Sequence, residues 1–113
     1  MKVKNRVKRH EEFQDIIRGS KCEKSSFFAI YFQKSDIPFT RVGISVSKKN
    51  GNAVVRNKIK RQIRAITDAT IDYQAPLNLI IVAKNAYDIN DFAKGKEQFT
   101  ALLQNIRRKL DDK

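Results

Sequence analysis

A single cysteine, Cys22, excludes an internal disulfide, and such a chain fits a reducing cytoplasm. Without a second Cys or a nearby His, Cys22 also offers no zinc ligand set. A single histidine, His10, excludes the paired-histidine acid–base chemistry that many ribonucleases use. At a predicted helix start it reads as a capping or surface residue. Long apolar runs are absent: no stretch of ~18 apolar residues exists, so a transmembrane helix is excluded. The N-terminal MKVKNRVKRHEEF is basic but leads into no apolar segment, which excludes a secretory signal. Repeats and low-complexity segments are missing too. Acidic residues are scarce, with 12 Asp and Glu against 24 Lys and Arg. Asp68, Asp72, Asp88 and Asp91 are scattered near element ends and read as caps and turns, not as a metal site. Asp111 and Asp112 read as a frayed terminus.

What is present suits one domain with a modest core, since 41% of the 113 residues are hydrophobic. The net charge of +12 on so small a domain points to a polyanion. Nucleic acid is the favoured class, because neutralising phosphates releases counterions. A membrane surface fits less well, as no helix pairs a basic face with a large exposed apolar one. Residues 1–9 carry Lys2, Lys4, Arg6, Lys8 and Arg9. They read either as an anion-binding arm or as a solvated, flexible terminus.

A short helix is expected from His10 to Arg18. Glu11, Glu12 and Asp15 lie in its early turns, where the helix dipole favours anions. Gly19 ends it, and Phe13, Ile16 and Ile17 make one apolar stripe. Phe27 to Gln33 is apolar on both faces and reads as a strand. Ile37-Pro38 breaks the run. Arg41 to Ser47 alternates, with Val42, Ile44 and Val46 on one face and Arg41, Gly43, Ser45 and Ser47 on the other. An edge strand near Ser20 to Glu23 is weakly signalled. After the turn Lys48–Asn52, with Asn52 as N-cap, a helix is expected from Ala53 to Ala69. Leu77 to Lys84 reads as a buried strand. Asp91 caps a last helix to Leu110, with Phe92, Phe99, Leu102, Leu103, Ile106 and Leu110 at helical spacing. The order α-β-β-α-β-α, with or without the edge strand, gives an α+β sandwich. Tyr31 and Tyr73 read as packing residues, though either ring could stack on a base.

The segment Arg56 to Arg64 carries the functional argument. At about 100° per residue, with Arg56 at zero, Lys60 falls near ~40°, Arg64 near ~80°, Asn57 near ~100° and Arg61 near ~140°. Val55, Ile59, Ile63 and Ile66 lie opposite. One face is a core stripe, and the other carries cations and an amide. Like charges at i, i+4 destabilise an isolated helix by a few tenths of a kcal/mol per pair, and an anionic partner reverses the sign. Arg offers bidentate phosphate contacts, and Asn can bond sugar or base edges. Lys48 and Lys49, beside Gly51, form a turn that either cradles phosphate or is merely solvated.

The run VGISVSKKNGNAVVRNKIKRQIR, residues 42–64, resembles the signature region of the bacterial ribonuclease P protein family. Arg56-Asn57-Lys58 stands for its Arg-Asn-Arg motif, with Lys58 keeping the charge of the second Arg. Upstream, NRVKRHEEFQDIIRGS resembles the family's first helix and its lead-in. The resemblance covers roughly the first two-thirds of the chain.

It implies an α+β, αβββαβα sandwich with a four-stranded mixed sheet and a left-handed βαβ crossover, as in ribosomal-protein-like folds. The last of these departs from the usual right-handed rule. It also implies a single RNA-binding domain over residues 1–113, acting in the cytoplasm with one ribonuclease P RNA. The RNA, with Mg²⁺ ions, would perform catalysis, leaving the protein no catalytic residue, metal or cofactor of its own. Arg56, Asn57, Lys58, Lys60, Arg61 and Arg64 would face that RNA. Phe13 and Ile17, with Phe28, Ile30, Arg41, Ser45 and Lys49 from the sheet side, would line a cleft for the 5′ leader of precursor tRNA. Ile17 and Ile30 stand where the family often has aromatics, which bears on leader preference. Two other readings remain: a ribosomal-type structural RNA-binding module without a substrate groove, and a DNA-binding regulator. The second lacks any helix-turn-helix signal.

Overall fold

The computed structural model describes residues 1–111, so Asp112 lies outside the described residues. The chain forms α1 (His10–Arg18), β1 (Lys21–Lys24), β2 (Phe28–Lys34), β3 (Arg41–Val46), α2 (Ala53–Thr70), β4 (Leu77–Ala83) and α3 (Phe92–Asp111). One-turn 3-10 segments cover Val3–Asn5 and Lys48–Asn50. The weakly signalled edge strand is real. Asp111, expected in an irregular terminus, is the last residue of α3.

The strands form one mixed sheet in the order β1-β2-β4-β3. β1 with β2 and β2 with β4 are antiparallel, and β3 with β4 is parallel across the α2 connection. The register fixes which side chains share a face, because successive residues of a strand alternate. Ile30 pairs with Ile81, which pairs with Ile44. Tyr31 pairs with Ile80, which pairs with Gly43.

The first set faces α2 and α3 and forms the main core. Phe28, Ile30, Ile59, Ile63, Ile66, Leu79, Ile81, Phe99 and Ile106 are at most 1% exposed there. Burying each such side chain stabilises the fold by ~1.5–3 kcal/mol. The second set faces α1 alone. A smaller cluster of Val7, Ile16 and Ile80 forms there, with Phe13, Ile17, Tyr31 and Val82 half-buried around it. Phe92, expected on the core stripe of α3, is 40% exposed at the first turn of that helix.

Two glycines are required by geometry. Gly51, at φ 134°, turns the chain into α2 in a conformation that side-chain-bearing residues rarely adopt. A Cβ on Gly43 would lie 2.7 Å from the Phe13 ring and from Ile80 Cδ1, so its absence lets α1 approach the sheet. Gly19 ends α1 without a left-handed conformation, at φ −99°.

The N-terminal arm is docked, not loose. Val7 N donates to Val42 O at 2.9 Å, and Arg6 bridges Val42 in parallel beyond β3. Asn5 is buried and its Nδ2 donates to Thr40 O at 2.7 Å.

Candidate nucleic-acid interface

The basic face of α2 is held rigidly from below. Asn52 caps the helix, its side-chain oxygen accepting from Val55 N at 3.0 Å. Ile59, Ile63 and Ile66 anchor the opposite face in the core. Asn57, Lys58 and Arg61 are exposed, and Arg56, Lys60 and Arg64 are partly so. Among the described residues none of these cations has a carboxylate within 4.0 Å. Arg56 Nε donates only to Gly51 O, at 3.3 Å. The first acidic residue of α2 is Asp68, about one turn beyond Arg64, and it accepts from the Tyr73 hydroxyl at 2.6 Å. Burial raises its pKa, but hydrogen bonds from the N-terminal ammonium and Tyr73 outweigh this and hold it below the usual carboxylate value.

By helical arithmetic Lys58 lies on the α2 flank away from Arg56 and Lys60. The flank bearing Lys60 and Arg64 turns toward the docked arm. There Arg6, Lys8, Lys60 and Arg64 surround a cavity of about 390 Å³ that Phe13 and Ile44 also line. The arm and α2 thus form one continuous basic surface, and Phe13 borders it.

On the other side of the sheet α1 crosses from β3 toward β2. Glu12 pairs with Arg41 at 2.6 Å near the start of β3, and Phe13 lies over Gly43. Gly19, past the end of α1, approaches Gln33 of β2. α1 therefore covers two rows of the sheet, Gln33–Asn78–Arg41 and Tyr31–Ile80–Gly43. The next row, Lys24–Ala29–Val82–Ser45, runs beside α1, and we term the step from the helix down to this row the trough. Phe13, Ile17 and Tyr31 stand half-buried along its α1 wall. Lys49 is exposed at the end of β3, in a turn tied down by Asn50 Nδ2 donating to Lys84 O at 2.9 Å.

This arrangement corrects part of the expected cleft. Phe28 and Ile30 do not line it. Both are fully buried against α2 and α3, on the face opposite α1. Because β2 is apolar on both faces, its own sequence leaves the parity open, and pairing with β4 decides it. The aromatic that β2 offers to the α1 side is Tyr31, which sequence pattern alone places among the packing residues. Alternation puts it on the other face from Phe28 and Ile30, whichever face they take.

Arg41 lies on the expected face, but its guanidinium is engaged by Glu12 and lies 3.5 Å from Arg6 O. Ser45 sits in the floor. Cys22 lies beside Tyr31 on this face, and burial pushes its thiol pKa up against the opposing pull of Lys24. Among the described residues no three His, Cys, Asp or Glu side chains are grouped to hold a metal ion. No described helix is long and apolar enough to cross a membrane.

Residues 1–107 match a family model described as Ribonuclease P. A Mesoplasma florum ribonuclease P protein component is 40% identical over 105 residues, covering 91% of this chain and 96% of that protein. A Bacillus cereus ribonuclease P protein component is 42% identical over 86 residues, covering 74% of this chain and 75% of that protein. Among solved structures, a Staphylococcus aureus RNase P protein mutant with defective mRNA degradation activity superposes with a TM-score of 0.79. It is 30% identical, with 92% of this chain and 89% of that chain covered. The RNase P protein from Thermotoga maritima, 24% identical with a TM-score of 0.68, shares the fold over 89% of this chain and 93% of its own.

Proposed function

This chain belongs to the ribonuclease P protein family, and on that premise we propose that α2 binds the ribonuclease P RNA while the α1 trough holds the 5′ leader of precursor tRNA. As a ribonuclease P protein component it is a subunit of the ribonucleoprotein that processes tRNA 5′ ends. One observation carries the division of labour. A helix face whose cations have no carboxylate partner among the described residues meets, at Phe13, a trough with half-buried Phe13, Ile17 and Tyr31 along its α1 side. Arg56, Lys60, Arg61 and Arg64 suit phosphates, and Asn57 suits sugar or base edges. The trough suits a single strand, with flat side chains for bases and Lys49 for the backbone. A ribosomal-type module would need only the basic helix, and not a single-strand trough beside half-exposed Phe13.

Catalysis rests with the RNA and the Mg²⁺ ions that the holoenzyme requires. The protein supplies positive charge and substrate affinity, one protein to one RNA, in the cytoplasm. Its lone histidine, with no grouped carboxylates among the described residues, supports this division of labour.

Reconstitution tests this reading. The protein added to a bacterial ribonuclease P RNA should raise 5′ processing of precursor tRNA at low Mg²⁺. Purified protein alone should cleave neither precursor tRNA nor mRNA. Cleavage by the protein alone that tracks with its point variants would overturn the assignment of chemistry to the RNA. Phe13→Ala should weaken holoenzyme binding of precursor tRNA by roughly 5–150-fold, from the ~1–3 kcal/mol of a base–aromatic stack. Mature tRNA binding should be unchanged, and equal losses for both would favour a plain RNA scaffold.

A further inference from the structure

The trough is bordered by cations at both edges of the same end of the sheet. The register places the end of β1 (Lys24) and the end of β3 (Val46) at that end, with Ala83 of β4 and Phe28 of β2 between them. Lys49 follows β3 on one edge. Lys24 stands on the other, directly opposite Ala29 and so on the α1 side of the sheet. Between Lys24 and Ser45 the floor is only Ala29 and Val82, across about 14 Å at the usual strand spacing.

Lys24 is exposed, and among the described residues it makes no ion pair and no side-chain hydrogen bond. Its sequence neighbour Glu23 cannot neutralise it from the same face. Glu23 pairs with Ile30 on the α3 side, where Lys109 Nζ holds it at 2.8 Å. Lys84, also at this end, is occupied, donating to Ser25 O at 3.0 Å.

We propose that Lys24 is a leader-backbone contact that determines how far along the 5′ leader the protein follows the strand. The proposal rests on the leader occupying the trough, as set out above. A strand entering beside Lys49 and lying over Ser45, Val82 and Ala29 with its bases toward Phe13 and Tyr31 meets Lys24 last. Lys24 therefore acts only on leaders long enough to cross all four strands. Shorter leaders end before reaching it.

The test is a leader-length series. Holoenzyme reconstituted with a bacterial ribonuclease P RNA is titrated with precursor tRNAs whose leaders grow one nucleotide at a time from none. Wild type, Lys24→Ala, Lys24→Glu, Lys24→Arg and Phe13→Ala proteins are compared at several salt concentrations. With wild type, affinity should climb in steps. Lys24→Ala should remove the last step alone, a loss of about three- to tenfold, and reduce the salt slope by roughly 0.7 for long leaders. Lys24→Glu should lose more, and Lys24→Arg should restore the step. Phe13→Ala should lower the steps for short leaders as well. Since Lys24 is exposed and outside the core, its variants should fold as wild type does, which circular dichroism checks. If Lys24→Ala and Lys24→Glu keep the wild-type profile while Phe13→Ala flattens it, the leader uses the trough but not Lys24, and the proposal fails. If wild type itself shows no dependence on leader length, the trough reading fails and takes the proposal with it.

Discussion

The basic face of α2 and the trough beside α1 are both assigned to RNA, yet they are built in opposite ways. The α2 face belongs to one helix, so residue spacing alone sets the directions of its cations. The trough is assembled from α1, three strands of the sheet and β1 at its edge. No single segment contains its pattern. The first surface is also electrostatically unbalanced, its cations having no carboxylate partner among the described residues. In the second, part of the charge is already used internally, as Glu12 engages Arg41. A contiguous helical surface is therefore read from periodicity, whereas a cleft between elements is read only from register and packing.

The largest effect that sharpens this comparison concerns the two faces of β2. Phe28→Ala should cost ~3–5 kcal/mol, because Phe28 is fully buried beneath α3. Phe13→Ala should cost clearly less, since half-buried Phe13 leaves a partly open site. Urea denaturation of both variants decides this. Equal costs would erase the distinction between core face and trough face.

Gly43→Ala comes next. Its new Cβ would press on the Phe13 ring and Ile80 from 2.7 Å. Overpacking of that kind costs ~1–3 kcal/mol. α1 should shift, weakening precursor tRNA binding while α2-dependent binding to the catalytic RNA persists. Loss of both together would show that the two surfaces are not independent.

On the α2 side, Arg61→Ala or Arg64→Ala should leave folding intact and flatten the salt dependence of binding to the catalytic RNA. Each lost phosphate contact should lower the slope by roughly 0.7–0.9. A slope unchanged in both variants would detach the RNA from this face.

The smallest effect tests what Arg41 does. A double-mutant cycle with Glu12→Gln and Arg41→Ala should give a coupling of about 0.5–1 kcal/mol in stability, as for a partly exposed pair. Arg41→Ala should then leave the salt slope for precursor tRNA unchanged. A reduced slope would return Arg41 to the leader's backbone despite Glu12.

The sequence by itself determined the elements, the basic helix and the family. Spacing of Ile59, Ile63 and Ile66 fixed the buried side of α2, and hence where Arg61 and Arg64 point. Alternation in β3 separated Val42 from Gly43 and Ser45 correctly, because its polar residues mark one face. β2 carries no such mark: Phe28, Ala29, Ile30, Tyr31 and Phe32 are all apolar or aromatic. Only pairing with β4 decided that Phe28 and Ile30 go to the core and Tyr31 to the trough. Tertiary structure likewise docked the basic arm through Asn5 and Val7 and tied Arg41 to Glu12. It also set Lys24 opposite Ala29 at the trough's edge. The arm and the Glu12–Arg41 pair depend on contacts between residues distant in sequence, and the Lys24–Ala29 pairing on the register of a hairpin, none of which local periodicity encodes. A helix carries its own inside and outside in its spacing, whereas a strand apolar on both faces acquires them only when the sheet is assembled.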